Sequence, residues 1–158
     1  MIDYEQLEDD LCTRLASDIY AVSPLPDNEA EFTKNFTKPK VYICCVGSVF
    51  GEPETNYLTV QNEKINFEAI IRSKTRRGAS GIFSIIKFIA EKLQGFELFK
   101  GSDRITLDKH GYIEGVQNDW NYVLSFSIDT KCVAKQDDPT VENPQAGVYL
   151  LKDPEFTE

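Results

Sequence analysis

From Trp120 to Cys132 the chain alternates with period two. Trp120, Tyr122, Leu124, Phe126, Ile128, Thr130 and Cys132 share one face, and Asn121, Ser125, Ser127, Asp129 and Lys131 share the other, with Val123 the one apolar residue on the polar side. Successive side chains of a strand point to opposite faces, so this run predicts a long strand with one buried and one wet face, as in an antiparallel sheet covered on one side. A second such run, from about Leu58 to Ser73, places Ile65, Phe67, Ala69 and Ile71 inward and Lys64, Asn66, Glu68 and Arg72 outward. Lys40 to Ser48 is apolar on both faces through Val41, Ile43, Cys44, Cys45 and Val46, as a central strand would be. Val49 to Tyr57 then connects two arms of a long hairpin.

Two segments carry the helical period. Tyr4, Leu7, Leu11, Leu15 and Ile19 recur at three and four, with Asp3 placed to cap and Glu5 and Glu8 at the positive end. Ala79 to Gly95 sets Ile82, Ile85, Ile86, Ile89, Ala90 and Leu93 in one stripe and stops at a glycine. Ser23 to Lys40 contains three prolines and only Leu25, Phe32 and Phe36 as large apolar groups, so it reads as a long loop. Asp103 to Gln117 reads as a β segment turning at His110-Gly111. The order helix, strand, strand, helix, strand, strand predicts an α+β domain over residues 1–134, with about four antiparallel strands and two helices on one face. Residues 135–158 form an acidic, proline-containing extension in which Val148-Tyr149-Leu150-Leu151 is a candidate strand.

Charge narrows the range of partners. With 26 acidic and 17 basic residues the net charge is -9, which opposes tight binding to nucleic acid or to an anionic membrane. No apolar run approaches the ~20 residues that span a bilayer, and the polar, acidic start does not read as a signal peptide. Cys12, Cys44, Cys45 and Cys132 lie within apolar patterns, which favours small buried hydrophobes over metal ligands or disulfides and implies a reducing compartment.

Candidate chemistry is sparse. The single histidine, His110, reads as a solvated turn residue before it reads as an acid or base, and the pairs Asp9-Asp10 and Asp137-Asp138 read as solvated faces. Ser80 and Ser84 have no nearby histidine to activate them. No nucleotide-binding glycine motif is present, and no cofactor is expected. Lys74, Arg76 and Arg77 form a basic cluster that admits three readings: a solvated junction, an interface patch for an acidic neighbour, or a phosphate site.

The hairpin Gly47-Ser48-Val49-Phe50-Gly51-Glu52-Pro53, the strand Glu63 to Ser73, the glycine-led helix from Gly78, the stretch Trp-Asn-Tyr-Val-Leu-Ser-Phe-Ser from Trp120, and Pro26-Asp27-Asn28 together resemble a Mu-like prophage tail protein family over residues 3 to 134. That resemblance implies a tail completion or tail terminator protein, similar to the minor tail protein U of lambdoid phages. Such a protein is expected to be a non-enzymatic virion component. It would close the head-proximal end of a tail as a ring of six copies, contact tail tube or sheath on one side and the neck connector on the other, and let DNA pass through its lumen without specific binding.

On this reading the surfaces expected to meet neighbours are Phe50 and Glu52 in the hairpin, Phe32 and Phe36 in the long loop, the Lys74, Arg76 and Arg77 cluster, and Val148, Tyr149 and Leu150 in the extension. Phe50, near a loop tip between two glycines, is the leading anchor, the alternative being that it folds back onto its own core. A cap of a contractile injection particle is the nearest alternative. An acidic adaptor or a small enzyme with a loop-borne site remains open from other classes.

Overall fold

The computed structural model describes residues 2–54, 60–115 and 118–134. Three helices, α1 (Tyr4–Leu15), α2 (Glu29–Phe32) and α3 (Ile82–Leu93), accompany five strands: β1 (Ala21–Pro24), β2 (Lys40–Phe50), β3 (Val60–Ser73), β4 (Thr106–Ile113) and β5 (Trp120–Val133). They form one sheet in the order β1-β2-β3-β5-β4. The α+β class stands, but the sheet is mixed and five-stranded rather than four-stranded and antiparallel, because β1 runs parallel to β2, Ala21 beside Lys40 and Pro24 beside Ile43.

A parallel pair needs a crossover, and the segment expected to be one long loop supplies it. The segment begins inside β1, passes through α2 and returns at β2. α2 starts at Asn28, whose side chain accepts the Glu31 N–H at 2.8 Å.

The core lies between the sheet and the pair α1 and α3. Val41 and Ile43 from β2, Ile65, Phe67, Ala69 and Ile71 from β3, and Leu124, Phe126 and Ile128 from β5 meet Leu7, Leu11 and Leu15 of α1 and the isoleucine stripe of α3. Phe67 and Phe126, direct partners across β3 and β5, stack with ring centroids 5.4 Å apart. α3 begins at Gly81 with no side-chain cap. A cap is worth about 1 kcal/mol, whereas each buried Ile or Leu contributes roughly 2 kcal/mol, so packing of Ile82, Ile85, Ile86, Ile89 and Leu93 holds this helix in place.

Three local expectations are corrected. α1 ends at Leu15, where the Ala16 N–H turns back to Thr13, so Ile19 lies outside the helix and is exposed; Tyr20 fills the core instead, its hydroxyl donating to the Leu15 carbonyl. His110 and Gly111 do not turn: they pair with Leu124 and Val123 inside a continuous β4. Phe50 is not at a loop tip, because β2 extends through it and pairs it with Glu63. The hairpin strands therefore reach further than expected on the β2 side. A register shift between Cys45 and Gly47 makes a bulge there, and Gly47 takes φ 142, a conformation L side chains rarely adopt.

The sheet's second face is less wet than its polar pattern implies. Arg72, Asn121 and Ser127 all lie on that face and are buried. α2 and the segment that follows it cover the Arg72 end, with Phe32 packed on Tyr42 at 5.2 Å between ring centroids.

Candidate interaction surfaces

Arg72 is the largest fully buried side chain, and the Phe32 and Phe36 loop is built around it. Its Nη2 donates to Asp119 Oδ2 at 2.5 Å and its Nη1 to the Phe32 carbonyl. The guanidinium carbon sits 5.4 Å from the Phe32 ring and 4.8 Å from the Phe36 ring. Lys74 Nζ lies 3.0 Å from the other Asp119 oxygen, close enough for an ion pair, and 4.9 Å from the Phe36 ring. A buried charge is costly unless paired, and this one is paired with a carboxylate and faced by two aromatic rings. Phe32 and Phe36, expected at an interface, thus spend one ring face each on Arg72 and stay half-buried. The cluster ties the crossover loop to the start of β5.

The basic cluster separates into distinct environments. Lys74 is committed to Asp119, while Arg76 lies over two aromatic rings, 5.3 Å from Phe83 and 5.1 Å from Trp120. The loop carrying it wraps the start of α3: the Ile82 N–H donates to the Thr75 carbonyl and the Phe83 N–H to the Arg76 carbonyl, each at 3.1 Å. Those are the amides a phosphate at this helix terminus would use, so the geometry argues against the phosphate reading. Arg77 stays exposed.

Around Arg76 lies an aromatic surface that the sequence reading did not single out. Trp120 is 37% exposed, Phe83 42% and Tyr112 56%. Tyr112 packs against Trp120 at 5.8 Å and Tyr122 at 5.6 Å, and Phe83 meets Tyr122 edge-on at 5.7 Å. One signal was available: Phe83 falls off the apolar stripe of α3, and an aromatic residue outside the stripe faces away from the core. Tyr112 was concealed by the turn expected at His110-Gly111.

At the opposite end of β3, Tyr4, Glu5, Glu8, Cys45, Val46, Gly47, Ser48 and Phe50 line a groove of about 420 Å³. Val46, 51% exposed, sits in the bulge, and Phe50 is 45% exposed. Glu8 accepts the Cys45 N–H at 2.7 Å, beyond the last paired residues of β1 and β2. The Tyr4 hydroxyl donates to buried Glu63 at 2.5 Å, and this bond, with burial, raises the tyrosine's pKa. Glu52 is exposed just beyond β2. Val148, Tyr149 and Leu150 lie outside the described residues.

Other candidates carry little chemistry. Ser84 Oγ donates to the Gly78 carbonyl at 2.6 Å, and His110 is exposed on β4 at the edge of a shallow groove of about 460 Å³ with Glu68, Ile70 and Val123. The four cysteines are free thiols, partly buried. Burial pushes the Cys12 thiol up to about 12, with Asp9 and Glu8 adding to the shift, and burial likewise raises Cys44 and Cys45, which keeps them in the less nucleophilic form. Among the described residues no group of three His, Cys, Asp or Glu is placed to hold a metal ion, and no helix is long and apolar enough to cross a membrane.

No curated protein matches the chain. The family model described as Gp37 protein matches residues 12–146, most of its length and all five strands. That match supports a phage-associated structural protein and is coarser than a tail terminator. The chain belongs to the phage-related Gp37 protein family.

Proposed function

We propose that this chain is a tail completion protein that terminates the head-proximal end of a phage tail as a ring, with six copies as the expected number, and forms the joint to the neck. The observation that carries the reading is the match to a phage-related family over residues 12–146, which overlaps the motifs over residues 3 to 134 that resemble a Mu-like prophage tail protein family. The role is structural and has no catalytic step. A sheet braced by α1 and α3 supplies a rigid body, and exposed aromatic groups at its two ends supply contacts. The net charge of -9 suits a lumen through which DNA moves without adhering. Tube or sheath below and connector above are the partners in this reading, and the virion is its location.

A tube polymer without a terminator has no signal to stop and no surface on which a head can dock. A phage carrying a stop codon early in this gene is therefore expected to yield tubes longer than wild type, beside full heads that lack tails, when lysates are viewed by negative-stain microscopy. Tails of normal length joined to heads would overturn the assignment.

A further inference from the structure

We propose that the aromatic patch of one copy seats in the bulge groove of the next, giving a head-to-tail contact between two different faces. The inference deepens the assembly reading and rests on it in taking the partner to be another copy of this chain.

The two faces complement each other in charge, and both expose apolar groups. The patch presents Trp120, Tyr112 and Phe83 with Arg76 held over two of the rings and Arg77 beside it. Trp, Tyr and Arg are the residues that most often dominate binding energy at interfaces, and rings already packed on each other lose little freedom on docking. The groove presents Val46 and Phe50 as an exposed apolar floor, with Glu5 and Glu8 among its lining residues. A cationic aromatic patch thus meets an apolar groove lined in part by carboxylates, in a chain whose net charge of -9 makes repulsion the general rule between copies.

They cannot meet within one molecule. Phe50 pairs with Glu63 at one end of β3, and Trp120 pairs with Ser73 at the other. At roughly 3.3 Å per strand residue the two sites are about 33 Å apart. Unlike faces at opposite ends of a rigid sheet join copies in a heterologous manner, and such a contact closes into a ring or grows as a filament according to its rotation.

Complementation of two broken faces tests the contact. One variant carries Arg76→Glu and Arg77→Glu, the other Glu5→Gln and Phe50→Ser, so that the two altered faces do not attract each other; all four positions are at the surface, and circular dichroism checks the fold. Glu8 is left intact because it holds the Cys45 amide. In sedimentation velocity the wild-type chain is expected to associate beyond a dimer as concentration rises. The emission of its single tryptophan, Trp120, should shift to the blue as the ring is covered.

Each variant alone should associate at least about tenfold more weakly. Their equimolar mixture retains one intact patch and one intact groove, and it should form a 1:1 dimer and stop there. Should a double variant lose its fold, the single changes Arg76→Glu and Phe50→Ser are mixed instead, with the same pattern expected. A wild-type chain that stays monomeric at every concentration, variants that associate as wild type does, or a mixture that recovers nothing would overturn the proposal. Association through these faces by a protein absent from tails would leave the contact standing and remove the terminator reading. A tail ring insensitive to both variants would do the reverse.

Discussion

At the scale of single residues, Arg72 and Asp119 make the most consequential pair. Both side chains are almost wholly buried, and removing Asp119 strands Arg72 as an unpaired charge away from water, whereas removing Arg72 leaves Asp119 still paired with Lys74. Asp119→Ala should cost about 3–5 kcal/mol, read as a lowered urea midpoint, while Asp119→Leu combined with Arg72→Met should recover most of the loss. Recovery would mean that the pair fixes the position of the Phe32 and Phe36 loop more than it adds stability; a double variant as weak as the single one would contradict this.

The Cys12 thiol gives a prediction in pH. Its pKa is raised from 9.0 to about 12 in the folded chain, chiefly by burial, so the unfolded state releases its proton first. The stability this thiol contributes is therefore complete below pH 9.0 and is lost as pH rises toward about 12. Thermal melts should show a falling midpoint across that window, and Cys12→Ala should reduce the slope without abolishing it, since Tyr4, Tyr20, Cys44 and Cys45 are raised too. An unchanged slope in the variant would contradict the assignment.

At the scale of elements, the junction of β3 and α3 shows how backbone hydrogen bonds, joined by those of Ser73 and Ser84, fix a loop. The carbonyls of Thr75, Arg76 and Gly78 accept amides from Ile82, Phe83 and Gly81, and a Cβ added at Gly81 would lie 2.5 Å from the Arg77 carbonyl oxygen. Gly81→Ala must push this loop outward, and we expect a loss of roughly 1–3 kcal/mol in urea unfolding. No loss would show that the loop yields without strain.

The same scale separates what was legible in the chain from what was not. Two-residue alternation identified β5 and the inward set of β3, and the three-and-four spacing identified the buried stripes of α1 and α3, because in each case one solvent boundary imposes the period. β1 escaped because it is four residues long, half-buried throughout and ends in proline, so it imposes no alternation. α2 escaped for its brevity, although Asn28 followed at the third position by Glu31 has the form of a capping box. Arg72 was placed on the correct face but read as wet, because a sequence pattern records which face a residue is on and not whether a distant loop folds over it. The basic cluster was visible as charge. The aromatic patch around it was not, since Phe83, Tyr112 and Trp120 come from three separate elements and meet only after the sheet has formed.

At the scale of the molecule, the sheet holds two exposed and chemically different ends in fixed relation, which is what a subunit repeated around an axis requires. In the proposed role this chain is the ring at the head-proximal end of a phage tail. Cryo-electron microscopy of intact phage particles encoding it tests that claim most directly, by locating its fold in the density and counting copies. One ring of six copies is expected between the last layer of the tail tube and the neck. Density for this chain at the distal tip, along the tube, or nowhere in the particle would contradict it.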